Sequence, residues 1–264
     1  AWTREADRST LVYYWRDVLS GFGAPLFLLL AGTAIAFSAA SRARKGASDR
    51  EAAASVAKRG WQIFGIAFLF RLQMYVTSLF WRWRSLFKVD ILNIMGPSIA
   101  GAAWLWGLAR GTAGKTAVLL VPVIVIPLAT PYVRAWTALA ALPDVIEAYL
   151  RPAANLTNFA IFPWSAFVFA GAAVGVVLER AAGRDAEARR VWIITAAGAL
   201  ITAVSLAASY RPSPFPNSYF WTTSPAYFYL RVGIMMAAFG AAWLWSEKLW
   251  AGAWQPFVLF GQTS

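Results

Sequence analysis

The chain has 264 residues, of which 59% are hydrophobic, 16% aromatic and only 14% charged, with a formal net charge of +12. An ordinary soluble domain carries roughly 25% charged residues, and a mean hydropathy of +0.54 is too apolar for a soluble chain of this length. With no Cys and no His, the sequence excludes a disulfide framework, thiolate or imidazole metal sites, and any catalysis that draws its nucleophile or base from those side chains.

The expected architecture is all-α, a polytopic transmembrane bundle with about seven spans, forming one transmembrane domain over residues 1–264. A helix needs about 20 largely apolar residues to cross the hydrocarbon core. Residues 1–20 mix both charge signs with Tyr13, Tyr14 and Trp15 and read as an interfacial lead-in. The spans follow at about 22–40, 61–80, 91–109, 116–133, 159–178, 191–209 and 225–245. The fourth contains Pro122, Pro127 and Pro131 and is expected to be kinked or broken. Between the fourth and fifth, ALPDVIEAYL is a short amphipathic piece suited to lying along the membrane surface. The proline-rich stretch from Arg211 to Trp221 reads as a loop. The chain opens at Ala1 with no signal-peptide pattern, and the stretch from Trp254 to Gly261 looks like the approach to a further span. Both features lead to the expectation of a longer gene product.

Lys and Arg fall in short runs between the apolar stretches, the pattern of the positive-inside rule rather than of a nucleic-acid binder. Alternate loops divide thirteen against nine, the richer side being dominated by 41–60 and by Glu179–Arg190. Those loops are expected on the cytoplasmic side. The localisation that follows is an integral protein of a bacterial inner membrane, with the lipid bilayer and other membrane subunits as partners and no nucleic acid.

Ionisable groups inside spans are costly and by default mark a site. Three stand out: Arg71 within IAFLFRLQMYV, Asp90 at the opening of the third span with Asn93 three residues on, and Arg231 one turn after Tyr227. Two readings stand for Arg71, Asp90, Asn93 and Arg231. They line a polar pocket for an anionic or polar ligand, or Arg71 and Asp90 form a structural ion pair or snorkel to the interface. Gly171 and Gly175 form a G-x-x-x-G, which serves close helix approach. Asn155-Leu156-Thr157 matches a glycosylation sequon, a match little better than chance. No metal-ligand cluster and no phosphate-binding glycine loop is present, so no metal and no resident cofactor is expected.

The order of short motifs resembles bacterial membrane proteins related to heparan-α-glucosaminide N-acetyltransferase. SGFGAPLFLLLAGTAIAFS is similar to a T-H-F-x-A-P-x-F-x-F-L-A-G segment, and KRGWQIFGIAFLFRL to an R-G-x-x-L-hydrophobic helix. VDILNIMGPSIAG resembles an L-x-x-I-G element, IFPWSAFVFAGAAVG a P-W-hydrophobic-G-x-x-x-G helix, and SPAYFYLRVGIMMAAFG an S-P-x-x-x-Y-hydrophobic-G helix. The resemblance runs over roughly residues 15–261. It implies a fold of about ten or more helices and acyl transfer from acyl-CoA at or across the membrane, and against that plan terminal helices are missing here. The motif histidine falls on Gly21, which can neither accept a proton nor carry an acyl group.

Three functions are therefore in play. The first is a non-catalytic structural or accessory subunit of a larger membrane complex, with no catalytic residue. The second is an active acyltransferase using acyl-CoA, with Asp90 or an unseen terminal residue as its catalytic group and Arg71 or Arg231 on the CoA phosphates or an acyl carbonyl. The third is a transporter or lipid-binding protein, favoured by intramembrane charges and a kinked fourth span.

Overall fold

The computed structural model of the protein describes residues 21–78, 83–180, 183–215 and 218–249. The lead-in 1–20, Arg82 and the stretch from Trp254 to Gly261 lie outside the described residues. Eight α-helices follow one another: α1 (Gly23–Arg44), α2 (Asp49–Thr77), α3 (Ile91–Leu108), α4 (Gly111–Ala135), α5 (Asp144–Leu150), α6 (Ile161–Leu178), α7 (Arg184–Ser209) and α8 (Pro225–Leu244). Short helical turns at Trp83–Phe87, Thr137–Ala141 and Trp245–Leu249 complete them. The only strand-like pairing among the described residues is one bridge between Val89 and Thr157.

Among the described residues six helices are long and apolar enough to cross a membrane: α1, α3, α4, α6, α7, and α8 extended to Glu247. Helix α2, which takes in most of the second expected span, is not one of the six. Its 29 residues make it about 43 Å long at 1.5 Å per residue, more than the hydrocarbon core requires. Its first turns carry Asp49, Glu51, Lys58 and Arg59, and its apolar part begins only after them. The start is fixed by a capping box. The Glu51 N–H donates to Ser48 Oγ at 3.3 Å and the Ser48 N–H donates to Glu51 Oε2 at 2.8 Å, satisfying two orphan donors reciprocally. Much of the stretch 41–60, read as a basic loop from its charge, is thus helix.

Small residues decide how the helices pair. In lipid, apolar side chains gain little by meeting each other, so close backbone approach carries the packing. A Cβ added at Gly32 of α1 would lie 2.0 Å from Val168 O, and one at Gly171 of α6 would lie 1.8 Å from Leu29 O. The same device joins α2 to α3, where Gly60 and Gly96 each face the other's carbonyl oxygen at 2.6 Å from a would-be Cβ. It joins α7 to α8 through Gly198 and Gly233, at 2.7 and 2.8 Å. Helix α6 is central: every residue from Ser165 to Val176 is buried, with α1 and α4 packed along it. Large apolar side chains face outward instead, among them Leu69, Leu108, Leu200 and Val204, as suits a surface solvated by lipid.

Helix α4 runs through Pro122, Pro127 and Pro131 as one helix, so of the two outcomes expected there, a kink or a break, the break does not occur. Proline costs a helix the hydrogen bond to the carbonyl four residues back, and in a membrane that carbonyl must find another donor. Pro127 frees the carbonyl of Val123, and Tyr229 of α8 donates its hydroxyl to that oxygen at 3.2 Å. The buried face of α4 (Lys115, Leu119, Val123, Pro127, Thr130, Pro131) is one continuous stripe, so neighbouring helices brace the weakened turns.

The charged side chains sort the bundle into two ends. Arg44 pairs with Glu179 at 3.1 Å, Lys115 with Asp49 at 2.7 Å, and Arg184 with Glu247. Residues 41–60, 179–180 and 183–190 therefore share one end, the basic end. Trp83–Asp90, 134–160, 211–215 and 218–224 share the other, where Arg84 pairs with Asp144 and Tyr132 meets Phe215 edge-on at 6.1 Å. The amphipathic stretch expected between the fourth and fifth spans forms α5 there.

Two outcomes are expected. Single cysteines at Ala47 and Ser213 should react with a membrane-impermeant thiol reagent from opposite faces of sealed vesicles; labelling from one face contradicts this arrangement. Gly171→Val should lower the thermal midpoint in detergent by the equivalent of roughly 1–3 kcal/mol, the usual cost of forced overpacking. Gly65→Ala, where nothing lies within 4 Å of the added carbon, should leave it unchanged or raised.

Candidate functional site

Arg71 and Asp90 come together, but as a structural pair. Arg71 Nη2 donates to Asp90 Oδ2 at 2.6 Å, with the arginine side chain 7% exposed and the aspartate 40%. Because α2 ends at Thr77, Arg71 lies about 9 Å from the helix end, close to the boundary rather than at mid-depth. Asp90 is the N-cap of α3: its Oδ1 accepts from the Ile91 N–H at 2.8 Å, and its own N–H donates to Asn93 Oδ1 at 3.0 Å. Asn93 donates onward to the Tyr149 hydroxyl at 3.5 Å. Burial pushes the Tyr149 phenol upward against that hydrogen bond. This network ties α2, α3 and α5 together.

The loop behind α5 is anchored to the same corner. The Val89 N–H donates to Leu156 O at 2.7 Å and the Asn158 N–H to Val89 O at 2.9 Å. Arg151 ties Glu147 at 2.6 Å and reaches Trp136 O at 2.8 Å. Asn155 of the sequon lies in this loop with φ +58°. These bonds bring Asn158 and Phe159 to the mouth of a cavity of about 450 Å³ between the start of α1, the end of α4, the start of α6 and the start of α8.

Gly21 lines that cavity, and so do Arg134, Asn158, Trp164, Tyr227 and Arg231. The two guanidinium groups define its chemistry. Arg231 donates from Nη2 to the Tyr227 hydroxyl, and its guanidinium carbon stands 3.9 Å from the centre of the Tyr227 ring. Arg134 makes one long bond, 3.4 Å, from Nη2 to Phe162 O. The Nε of each is buried without a hydrogen-bond partner. Among the described residues neither has a carboxylate partner, and no described Asp or Glu lines the cavity. Buried donors without partners are costly, and two beside one hollow create a positive site for an acceptor.

The larger cavity, about 660 Å³ at the basic end, differs in kind. Lys115 is 2% exposed, bonded to Asp49 and 3.2 Å above the centre of the Trp106 ring. The Glu179 carboxylate, 4% exposed, holds both Arg44 and Arg180 at 3.2 Å. Its cations are already answered by carboxylates, which marks it as a packing seam between helix ends.

Arg231 thus reaches the cavity as a candidate, whereas Arg71, Asp90 and Asn93 do not line it. Sequence reasoning missed Arg134 and Lys115. Both sit within a turn or two of an apolar boundary, where charge was assigned to a loop. The signal was available for Arg134, since Thr130-Pro131-Tyr132-Val133-Arg134 continues the apolar period of α4 without a break.

Fold and site together define a polytopic membrane protein with a cationic, histidine-free cavity near one end of the bundle. Residues 3–210 match the family described as heparan-alpha-glucosaminide N-acetyltransferase, catalytic, and the chain belongs to that family. The match ends at the close of α7, so the wider span of the motif resemblance, which takes in α8, lies partly beyond it. No curated protein and no solved structure matches the chain.

Replacement should separate the two arginine environments. Asp90→Asn, which strands the buried Arg71, should lower the thermal midpoint by the equivalent of about 1–2 kcal/mol, discounted for the exposure of the carboxylate. Arg134→Gln and Arg231→Gln should leave the midpoint unchanged or raised, because no carboxylate is stranded; a large fall in both variants would assign those side chains to packing.

Proposed function

We propose that this chain is a non-catalytic member of its acyltransferase-like family. It binds the anionic part of a ligand in the Gly21 cavity and acts as an accessory subunit of a larger membrane assembly. The observation that carries the reading is the lining of that cavity. Two guanidinium groups with free N–H bonds invite an anion, while the position of the motif histidine holds glycine. The described lining offers no carboxylate, amine, thiol or imidazole as proton acceptor. General acid–base help is worth typically about 10²–10⁴ in rate, and its absence favours binding over turnover. A protein that binds without converting exerts its effect through a neighbour, which is the ground for the accessory role.

The geometry weighs against the other readings. Asp90, one candidate base for an active enzyme, caps α3, and its carboxylate is already engaged by Arg71 at 2.6 Å and by the Ile91 N–H at 2.8 Å. The transporter reading drew on a kinked fourth span and intramembrane charges; α4 is one continuous helix, and Arg71, one of those charges, is paired with Asp90.

Purified protein incubated with labelled acetyl-CoA and mixed amine, sugar and lipid acceptors should show no turnover. Retention of the label on the protein should fall roughly ten-fold or more in Arg134→Gln/Arg231→Gln. Gentle extraction from native membranes should yield a stoichiometric complex. Turnover by the unmodified chain, lost in Asp90→Asn, overturns the non-catalytic reading, and isolation as a lone protein overturns the accessory role.

A further inference from the structure

The basic end carries a second unpaired cluster, on the outside of the bundle between α1 and α2. Phe37, Ser38, Ser41, Arg42 and Lys45 of α1 and Arg59 of α2 surround a hollow of about 590 Å³. Ser38, Ser41, Arg42 and Lys45 stand at i, i+3, i+4 and i+7 and so share one face of α1, a stripe about 10 Å long. Arg59 comes from α2, about 15 Å below that helix's first residue.

Three features distinguish this hollow from an ordinary charged surface. Among the described residues none of its three cations has an ion pair, and no described Asp or Glu lines it. The carboxylates nearest in sequence are committed elsewhere, Asp49 to Lys115 and Glu51 to the Ser48 cap. Below the cations the same two helix faces continue as exposed apolar side chains, Leu30 and Phe37 on α1 and Ile66 and Phe70 on α2. A cationic rim above two apolar walls at a membrane boundary matches one chemistry, a phosphodiester headgroup attached to acyl chains.

We propose that this groove is a binding site for an anionic phospholipid. Arg42, Lys45 and Arg59 neutralise the headgroup phosphate and the Ser38 and Ser41 hydroxyls donate to its oxygens. The acyl chains lie along Phe37 and Leu30 on one side and Ile66 and Phe70 on the other. Guanidinium groups suit the phosphate because they bond it in pairs. Basic pockets between transmembrane helices on the cytoplasmic side are a recurrent place for such headgroups. The site is separate from the Gly21 cavity at the opposite end, and it stands whether or not that cavity binds a ligand.

The full chain, reconstituted in phosphatidylcholine bilayers, can be probed with spin-labelled phosphatidylglycerol or spin-labelled phosphatidylcholine as tracer. Preferential association of the anionic tracer is expected, weakening as salt screens the headgroup. In R42Q/K45Q/R59Q the preference should drop at least roughly five-fold, the worth of one cation near a charged surface. It should persist in R84Q/K88Q, which removes cations at the other end. Should the triple variant fail to fold, R59Q alone must weaken the preference and Arg59→Lys must restore it in part. Equal association of both tracers, a preference indifferent to these substitutions, or displacement of the tracer by inorganic phosphate each overturns the proposal, the last by assigning the cluster to a soluble anion.

Discussion

The structure depends on how closely two backbones approach. At the crossing of α1 and α6 there is no room for a Cβ: Gly32 lies under Val168 O and Gly171 under Leu29 O. Thr33 reinforces the contact by donating to Gly171 O at 3.2 Å. In a bilayer, where burying an apolar side chain gains little over leaving it in lipid, such contacts must supply dispersion and polar bonding directly. Because α6 is enclosed by its neighbours, this crossing also fixes where α1 begins. The start of α1 brings Gly21 and Ala24 to the cavity, and the first turns of α6 bring Pro163, Trp164 and Phe167 to the same wall.

Charge is managed oppositely at the two ends. At the basic end, buried charges are paired, as Lys115 is with Asp49 and Glu179 with Arg44. At the cavity, Arg134 and Arg231 keep unpartnered Nε groups. Leaving two like charges near one hollow sacrifices stability, and proteins commonly sustain such a sacrifice where a site must stay ready for a ligand. Arg71 marks the boundary between the habits: of its two sequence readings, ligand group or ion pair, the fold shows the pair with Asp90.

Much of the architecture was legible because lipid imposes a length and a polarity on each crossing. The helix count, the Gly171–Gly175 contact and the Arg71–Asp90 pairing all follow from local pattern. What stayed hidden depends on partners distant in sequence. The continuity of α4 rests on a hydroxyl from Tyr229, 106 positions away from the carbonyl it serves. Arg134 becomes a site residue only because α8, more than ninety positions later, lays Arg231 beside the same hollow. The helical start of α2 at Asp49 was masked by charge, although its S-x-x-E capping signal was present in Ser48 and Glu51.

The missing N–H of Pro127 has a mechanical consequence. The α7–α8 hairpin meets the remaining helices through few residues, chiefly the Tyr229 hydroxyl on the carbonyl that Pro127 leaves free and the Phe228 ring against Phe167 at 4.6 Å. Arg231 rides on that hairpin, whereas Arg134 belongs to the main body. An occupant gripped by both guanidinium groups would act as a clasp, fastening a lightly hinged arm to its frame. Since α7 and α8 run the full height of the bundle, the tilt set by that clasp would be carried to Arg184 and Glu247 at the far end. With the proposed anion in that cavity, occupancy on one side of the membrane would be felt as a displacement on the other, with no bond made or broken.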